Sequence, residues 1–239
     1  MRFLYIFPHP DDESFGPAAA MHHQLAQGHE VHLLTLTRGE ATKVRFELGL
    51  DQNAMGDLRY KEMQQVESTL GLSSMEVLRF PDSGLKELDP RRLETAIKEH
   101  VQQIAPQVLV SYPVHGISGF HDHLVTHAVV KRAFMDMKEG EAPFPERLAF
   151  YTIRDQGLDP FQGAAFPVRQ SIEAEIDCAM ALDDEDMKAF QDCLDCYESY
   201  QERIEASGVK EKIGKEALFE LFGERPEGKM KDLTVGLSG

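Results

Sequence analysis

Arg2-Phe3-Leu4-Tyr5-Ile6-Phe7, followed at once by Pro8-His9-Pro10-Asp11-Asp12-Glu13, is the stretch that decides the fold. The first six residues, apolar but for Arg2 and rich in aromatic side chains, read as a buried strand. An imidazole and three carboxylates crowded at its carboxyl end would make a poor core, and that end is where open α/β sheets place their ligand sites. Prolines on both sides of His9 keep the segment out of helix, so successive side chains turn to opposite sides. His9 and Asp12 could then meet one ion while Asp11 faces the space beside it. Imidazole nitrogen with carboxylate oxygen is the donor mixture of a catalytic zinc or iron site, and a further carboxylate can take the proton of an activated water. The ordinary alternative is an acidic helix cap at Asp11, Asp12 or Ser14, but a cap needs one oxygen rather than a cluster.

Outward from this motif the pattern repeats. Phe15 to Gln27 reads as a helix stopped by Gly28, and Glu30 to Thr37 as a second strand ending at Arg38-Gly39-Glu40. Strand, polar loop, helix and strand form the βαβ unit of a parallel sheet. Ala41 to Asp57, interrupted by Gly49 and Gly56, is expected as a long loop with one helical turn near Val44 to Leu48, and Leu58 to Leu70 as a helix. Met75 to Phe80, Gln107 to Tyr112 and Leu148 to Ile153 are further strands. A helix from Pro90 to Ile104, capped by Asp89, separates the first two of these. Beyond Ile153 come a loop with Pro160 and Gly163, a strand at Ser171 to Ile176, an acidic helix from Asp184 to about Ala206 and a shorter helix from Lys215 to Phe222. Gly223 to Gly239 is expected as a tail or lid. The expected architecture is one α/β domain over residues 1–239: a Rossmann-like, three-layer core with a mostly parallel sheet over 1–153, and a helical C-terminal extension, able to serve as a lid, over 154–239.

A chain of 239 residues can bury such a core, and its net charge of −16 argues against a nucleic-acid or anionic-membrane partner, because phosphate binding needs clustered Lys and Arg. No basic leader with an apolar core opens the sequence, and the first apolar run is too short to span a bilayer, so a cytoplasmic protein is expected. Three cysteines agree: the number is odd, and the Cys193-Leu194-Asp195-Cys196 pair has no second pair with which to complete a structural zinc site.

A second polar concentration, His115-Gly116-Ile117-Ser118-Gly119-Phe120-His121-Asp122-His123, follows the fourth strand and precedes a helix reaching about Met137, which puts it on the same sheet edge as the first motif. Three protein ligands with an open position distinguish a catalytic zinc from a structural one. His9, Asp12 and one histidine of this segment, His121 or His123, would meet that requirement. His127, one turn further along, reads as a packed residue, and His115 as a solvated one or a substrate contact.

Together, His9-Pro10-Asp11-Asp12-Glu13 after a strand, Thr37-Arg38-Gly39-Glu40 after the next, Arg59 with Glu62 in a helix, and Gly116 to His123 before another helix resemble the LmbE-like, or PIG-L, N-deacetylase family. The match runs from Met1 to about Ala133. The resemblance implies removal of an N-acetyl group from an N-acetylglucosamine-type small molecule with a divalent metal, usually Zn2+, with Fe2+ also able to serve. It implies His9, Asp12 and His123 as metal ligands, Asp11 as general base and Arg59 as a residue reaching the substrate, and it leaves a homo-oligomer open. The family's second motif runs Gly-His-Pro-Asp-His, and its first histidine, which resembles an oxyanion stabiliser, falls here on Phe120. His121, shifted by one residue, is expected to take over that role, with His115 or the metal alone as alternatives. Arg59 has a plainer reading as a surface helix pair with Glu62 at i, i+3. Asp122 could orient a histidine.

Two other readings compete: an amide or carbamoyl hydrolase on the same metal framework, and a sugar-binding homologue without turnover. Nicotinamide chemistry is disfavoured because no GxGxxG follows the first strand, and serine-hydrolase chemistry because no GxSxG occurs.

Overall fold

Residues 1–140, 145–155 and 168–238 are described by a computed structural model. β1 (Arg2–Phe7) lies in the interior of a sheet that has seven strands among the described residues. β2 (Glu30–Thr37) pairs with one side of it and β4 (Val108–Ser111) with the other, both parallel, so that Leu4 faces His32 across one ladder and Leu109 across the other. β3 (Ser74–Phe80) and β5 (Arg147–Thr152) extend the parallel set outward. The order is β3-β2-β1-β4-β5-β7-β6, and the direction of winding reverses between β1 and β4. A crevice opens at such a reversal on the carboxyl side of the strands.

The period of β1 sorts the core into two layers. Phe3, Tyr5 and Phe7 face α1 (Pro17–Ala26), α3 (Gln52–Leu70) and α6 (Asp184–Asp195); the short α2 (Val44–Glu47) lies between α1 and α3 in the chain. Leu4 and Ile6 face α4 (Pro90–Ile104) and α5 (His121–Lys138). A sheet buried on both faces between helices is the three-layer arrangement expected.

Four expected elements differ. α3 begins at Gln52, six residues before the expected start, with Asp51 accepting a cap bond from the Ala54 amide. Gly56, which reads as a loop residue, sits inside the helix, and its lack of a side chain serves packing: a Cβ there would lie 3.3 Å from the Cβ atoms of Arg38 and Glu40. The expected helix at Lys215–Phe222 is instead strand β7 (Glu216–Leu221), antiparallel to β5 on one side and to β6 (Cys178–Ala181) on the other. Six residues, two of them glutamates, are too few to set a helical or a strand period, and two ready ladders supply partners for the backbone. Ser171–Ile176 is not a regular strand; only Ser171 bridges, to Arg154, and a 3-10 turn follows at Glu173–Glu175.

The acidic helix also stops at Asp195, turns through Glu198–Tyr200, and resumes as α7 (Gln201–Ser207). The residues after Gly223 are anchored at the opposite edge of the sheet from the crevice. There Arg147, the first residue of β5, holds Glu224 at 2.8 and 2.7 Å and donates to the carbonyls of Leu233 and Val235. The lid expected of this tail therefore does not lie over the crevice. The loop expected around Pro160 and Gly163 falls outside the described residues.

Candidate active site

The carboxyl ends of β1 to β4 and the start of α5 deliver the side chains. From the end of β1, the His9 amide donates to Asp12 Oδ2 at 2.8 Å, which folds the Pro8–Asp12 turn back on itself. Thr37, at the end of β2, donates its amide and hydroxyl to the Pro8 carbonyl, each at 2.9 Å, and so fixes where that turn leaves the sheet. The ligand atoms of His9, Asp12 and His123 all lie within 4.8 Å of one another, with His123 Nε2 3.3 Å from Asp12 Oδ1 and His9 Nδ1 3.5 Å from Asp12 Oδ2.

His123 is set from behind. Its Nδ1 donates to the Gly116 carbonyl at 2.9 Å, which leaves Nε2 turned to Asp12, and its ring stacks on Tyr112 with centroids 4.3 Å apart. Gly116 adopts φ +63°, and a Cβ there would lie 2.9 Å from the Cβ of His123, so this loop position needs glycine. Tyr112 donates its hydroxyl to Asp12 Oδ1 at 2.8 Å. An imidazole nitrogen and a carboxylate oxygen that approach to 3.3 Å, each able to accept, need a proton or a cation between them. This donor set fits a divalent transition metal, since mixed nitrogen and oxygen ligands suit zinc and iron.

The far side of His9 is equally organised. Its Nε2 lies 3.3 Å from both Asp82 Oδ1 and Asp122 Oδ2. Asp122 is held by the amides of Ser83 at 2.8 Å and Leu85 at 3.2 Å, and Asp82 by the amide of Ala41 at 2.7 Å. Carboxylates behind a histidine fix its orientation and favour positive charge at the site. Burial alone would lower the His9 pKa; its bonds to Asp12, Asp122 and Asp82 outweigh that and hold it well above the usual imidazole range. Burial would likewise raise Asp12, but His123 and His9 beside it keep the carboxyl well below the usual carboxylate range.

Asp11 belongs to a separate cluster. Its backbone stands at φ +83°, and its Oδ2 pairs with Arg59 Nη2 at 2.9 Å. Burial pushes its carboxyl up to about 6, with the Arg59 charge opposing the rise. Arg59 is only 1% exposed: it donates to the Pro10 carbonyl at 2.7 Å, and its guanidinium lies 3.8 Å from the Tyr200 ring centroid. The surface-pair reading of Arg59 does not hold: Arg59 and Glu62, 3.9 Å apart, are both buried, and the guanidinium grips Asp11.

The other expected residues sort plainly. His121 occupies the first position of α5 and is exposed; two residues from buried His123, it stands on the opposite side of the helix and is not brought into the cluster. His115 accepts from the Ile117 amide at one ring nitrogen and bonds Ser171 at the other, so both are engaged. His127 donates to the Tyr112 carbonyl. Asp82, Tyr112 and Tyr197 are the residues missed. The first two carry a weak signal, since each stands at the carboxyl end of a strand of the parallel sheet. Tyr197, far along the chain, carries none.

A three-layer α/β protein with a histidine–carboxylate cluster at its sheet reversal is the class that fold and site define. The chain belongs to the PIG-L family, described as GlcNAc-PI de-N-acetylase, whose model matches residues 4–134. Among its relatives, a 1D-myo-inositol 2-acetamido-2-deoxy-alpha-D-glucopyranoside deacetylase of Salinispora arenicola (strain CNS-205) is 34% identical over 166 residues, 59% of this chain and 53% of that protein. A mycothiol S-conjugate amidase of Streptomyces coelicolor is 32% identical over 165 residues, 61% of this chain and 55% of that one. The chain thus spans about half the length of the curated relatives it matches. The zinc-inhibited form of teicoplanin deacetylase Orf2 shares the fold, with a TM-score of 0.72 at 14% identity over 92% of this chain and 97% of that one. Among the described residues, no helix is long and apolar enough to cross a membrane.

Proposed function

We propose that this protein is a metal-dependent hydrolase that removes an N-acetyl group from an N-acetylglucosamine-type sugar or glycoside. One observation carries the reading: three ligand-type side chains converge, and an acidic residue adjacent in the chain, Asp11, is kept out of that group by its own partner, Arg59. A structural metal site has no use for such a spare carboxylate. The family match and the names of the relatives support the choice of an acylated amino sugar.

His9, Asp12 and His123 would hold the cation, which we assign as zinc from its nitrogen and oxygen donors. When bound, it supplies a positive charge that acidifies a water and polarises the acyl oxygen. Asp11 accepts the proton of the attacking water, and returns it to the nitrogen as the C–N bond breaks, so that amide and water become acetate and free amine. Among the described residues no hydrogen bond engages Asp11 Oδ1, which leaves that oxygen for the proton while Oδ2 stays on Arg59. Burial lifts this carboxyl above the ordinary carboxylate range, which suits a group that must give its proton back. We assign no side chain to the oxyanion, because Phe120 is apolar, His115 is engaged and His121 faces away. Unpaired cysteines fit a reducing, cytoplasmic setting.

The Streptomyces relative favours a second reading, cleavage of a different amide on the same residues. Acetate release from an N-acetylglucosaminyl inositol, measured beside hydrolysis of a mycothiol S-conjugate, separates the two. Acetate release that is faster, and lost on chelation, is the expected result. Exclusive cleavage of the conjugate would replace the deacetylase reading with the amidase one.

A further inference from the structure

The left-handed backbone of Asp11 is a conformation that aspartate enters more readily than most residues but still at a cost that glycine does not bear, and neighbours must hold it there. Part of the restraint is local: the Asp11 carbonyl accepts from the amides of Ser14 at 2.8 Å and Phe15 at 3.0 Å. The rest comes from the turn after α6, outside the residues that the family model matches. The Asp11 amide donates to the Tyr197 hydroxyl at 2.9 Å, and that hydroxyl donates to Glu13 Oε1 at 2.6 Å. Tyr197 is fully buried, and so is Glu13, whose Oε1 also accepts from Ser14 Oγ at 2.7 Å.

The same turn secures the other end of Asp11. Tyr200 covers the Arg59 guanidinium, and its hydroxyl bonds Thr42. Ser199 donates its amide at 2.7 Å and its hydroxyl at 2.9 Å to Glu62, the acidic neighbour of Arg59 on α3. Tyr197 therefore touches the backbone of Asp11, Tyr200 the arginine that grips its carboxylate, and Ser199 the Glu62 beside that arginine. A phenol serving only as core filler would not need to join the amide of one motif residue to the carboxylate of another.

We propose that Tyr197 is a positioning residue: through its hydroxyl the turn at residues 197–200 holds Asp11 in the left-handed conformation that aims its free carboxylate oxygen. The proposal rests on Asp11 as the base in the reaction above. It also explains Glu13, the third acid of the opening motif, which belongs to this anchor and not to the ligand group. Aim matters because a displacement of about 1 Å at a reacting group can cost on the order of a hundredfold in rate.

The test compares Tyr197→Phe, which keeps the ring and removes the hydroxyl, with Tyr5→Phe, which removes another fully buried hydroxyl, bonded to Gln24 at 3.0 Å. Both full-length variants are assayed for zinc content, thermal midpoint, kcat and KM for acetate release from an N-acetylglucosaminyl inositol, and amide hydrogen exchange at Asp11. Tyr197→Phe is expected to keep its zinc and its KM within about twofold, to lose about tenfold or more in kcat, and to exchange the Asp11 amide at least tenfold faster. Tyr5→Phe is expected to lower the midpoint alone. A kcat for Tyr197→Phe within twofold of the parent, or an equal loss in Tyr5→Phe, would overturn the proposal. So would unchanged exchange at Asp11. A parent that releases no acetate would sink the deacetylase reading, whereas the exchange measurement still decides whether Tyr197 holds Asp11.

Discussion

Replacing Asp11 in two ways separates its chemistry from its structural pairing. At 2.9 Å, and with an effective dielectric constant of about 20, the Arg59–Asp11 attraction is roughly 6 kcal/mol before desolvation is counted. Asp11→Ala leaves Arg59 as a buried, unpaired cation, a change that typically costs about 3–5 kcal/mol. It also puts alanine where φ is +83°. Asp11→Asn keeps an oxygen for Arg59 and suits the left-handed backbone better, so its loss is expected near 1–3 kcal/mol. For a chain of this size each kcal/mol moves the thermal midpoint by about 2–4 °C, and the alanine variant should melt about 6 °C or more below the parent. Neither variant has a base, and both should lose about 10²- to 10⁴-fold in kcat, equivalent to about 3–5 kcal/mol of barrier. The expected signature is thus equal loss of turnover, unequal loss of stability and unchanged metal content. Acetate release, differential scanning calorimetry and elemental analysis of the purified proteins read the three quantities. An asparagine variant turning over within threefold of the parent, or one stripped of its metal, would refute the reasoning.

His123→Ala and Asp12→Asn should each lose both metal and turnover, and elemental analysis showing a full complement in either would remove that residue from the ligand set. His121→Ala should leave kcat within about threefold; loss of an oxyanion donor costs about 3–4 kcal/mol, so a hundredfold drop would restore the role that the sequence suggests for it. Asp186 receives His22 at 2.7 Å and His23 at 2.8 Å, and although burial would raise its carboxyl, those bonds and the Asp183 amide hold it below the usual range. A depressed folded pKa stabilises above the unfolded value and is lost as pH falls through the folded one, so Asp186→Asn should cost about 1–3 kcal/mol in urea unfolding at pH 7 and progressively less towards pH 3. An equal deficit at both pH values would contradict this. Arg147→Met should free the C-terminal segment for limited proteolysis, and resistance equal to the parent's would show that Arg147 does not hold it.

The five parallel strands were legible because each is a short apolar run with a polar loop or a proline behind it, and the candidate ligand group because two motifs end strands on one edge. What escaped was information carried by tertiary partners. Glu216–Leu221 is a strand because β5 and β6 flank it, and no local pattern says so. Arg59 and Glu62 have helical spacing on either an exposed or a buried face, and only Asp11 and the Tyr200 ring show which. His121 and His123 are nearly equivalent as letters, yet two residues on a helix are turned to opposite sides, one into the site and one into solvent.

The strand order has a practical consequence for anyone excising the recognisable part of this chain. The family match ends at Phe134, on α5, while β5, β7 and β6 follow it in the chain and complete the sheet on that side. A fragment cut there would leave β4, with Val108, Leu109 and Val110 all apolar, as a bare margin whose amides and carbonyls invite another copy. Such a fragment should precipitate or swap strands with itself, and the segment most easily recognised by its motifs is not the unit that folds.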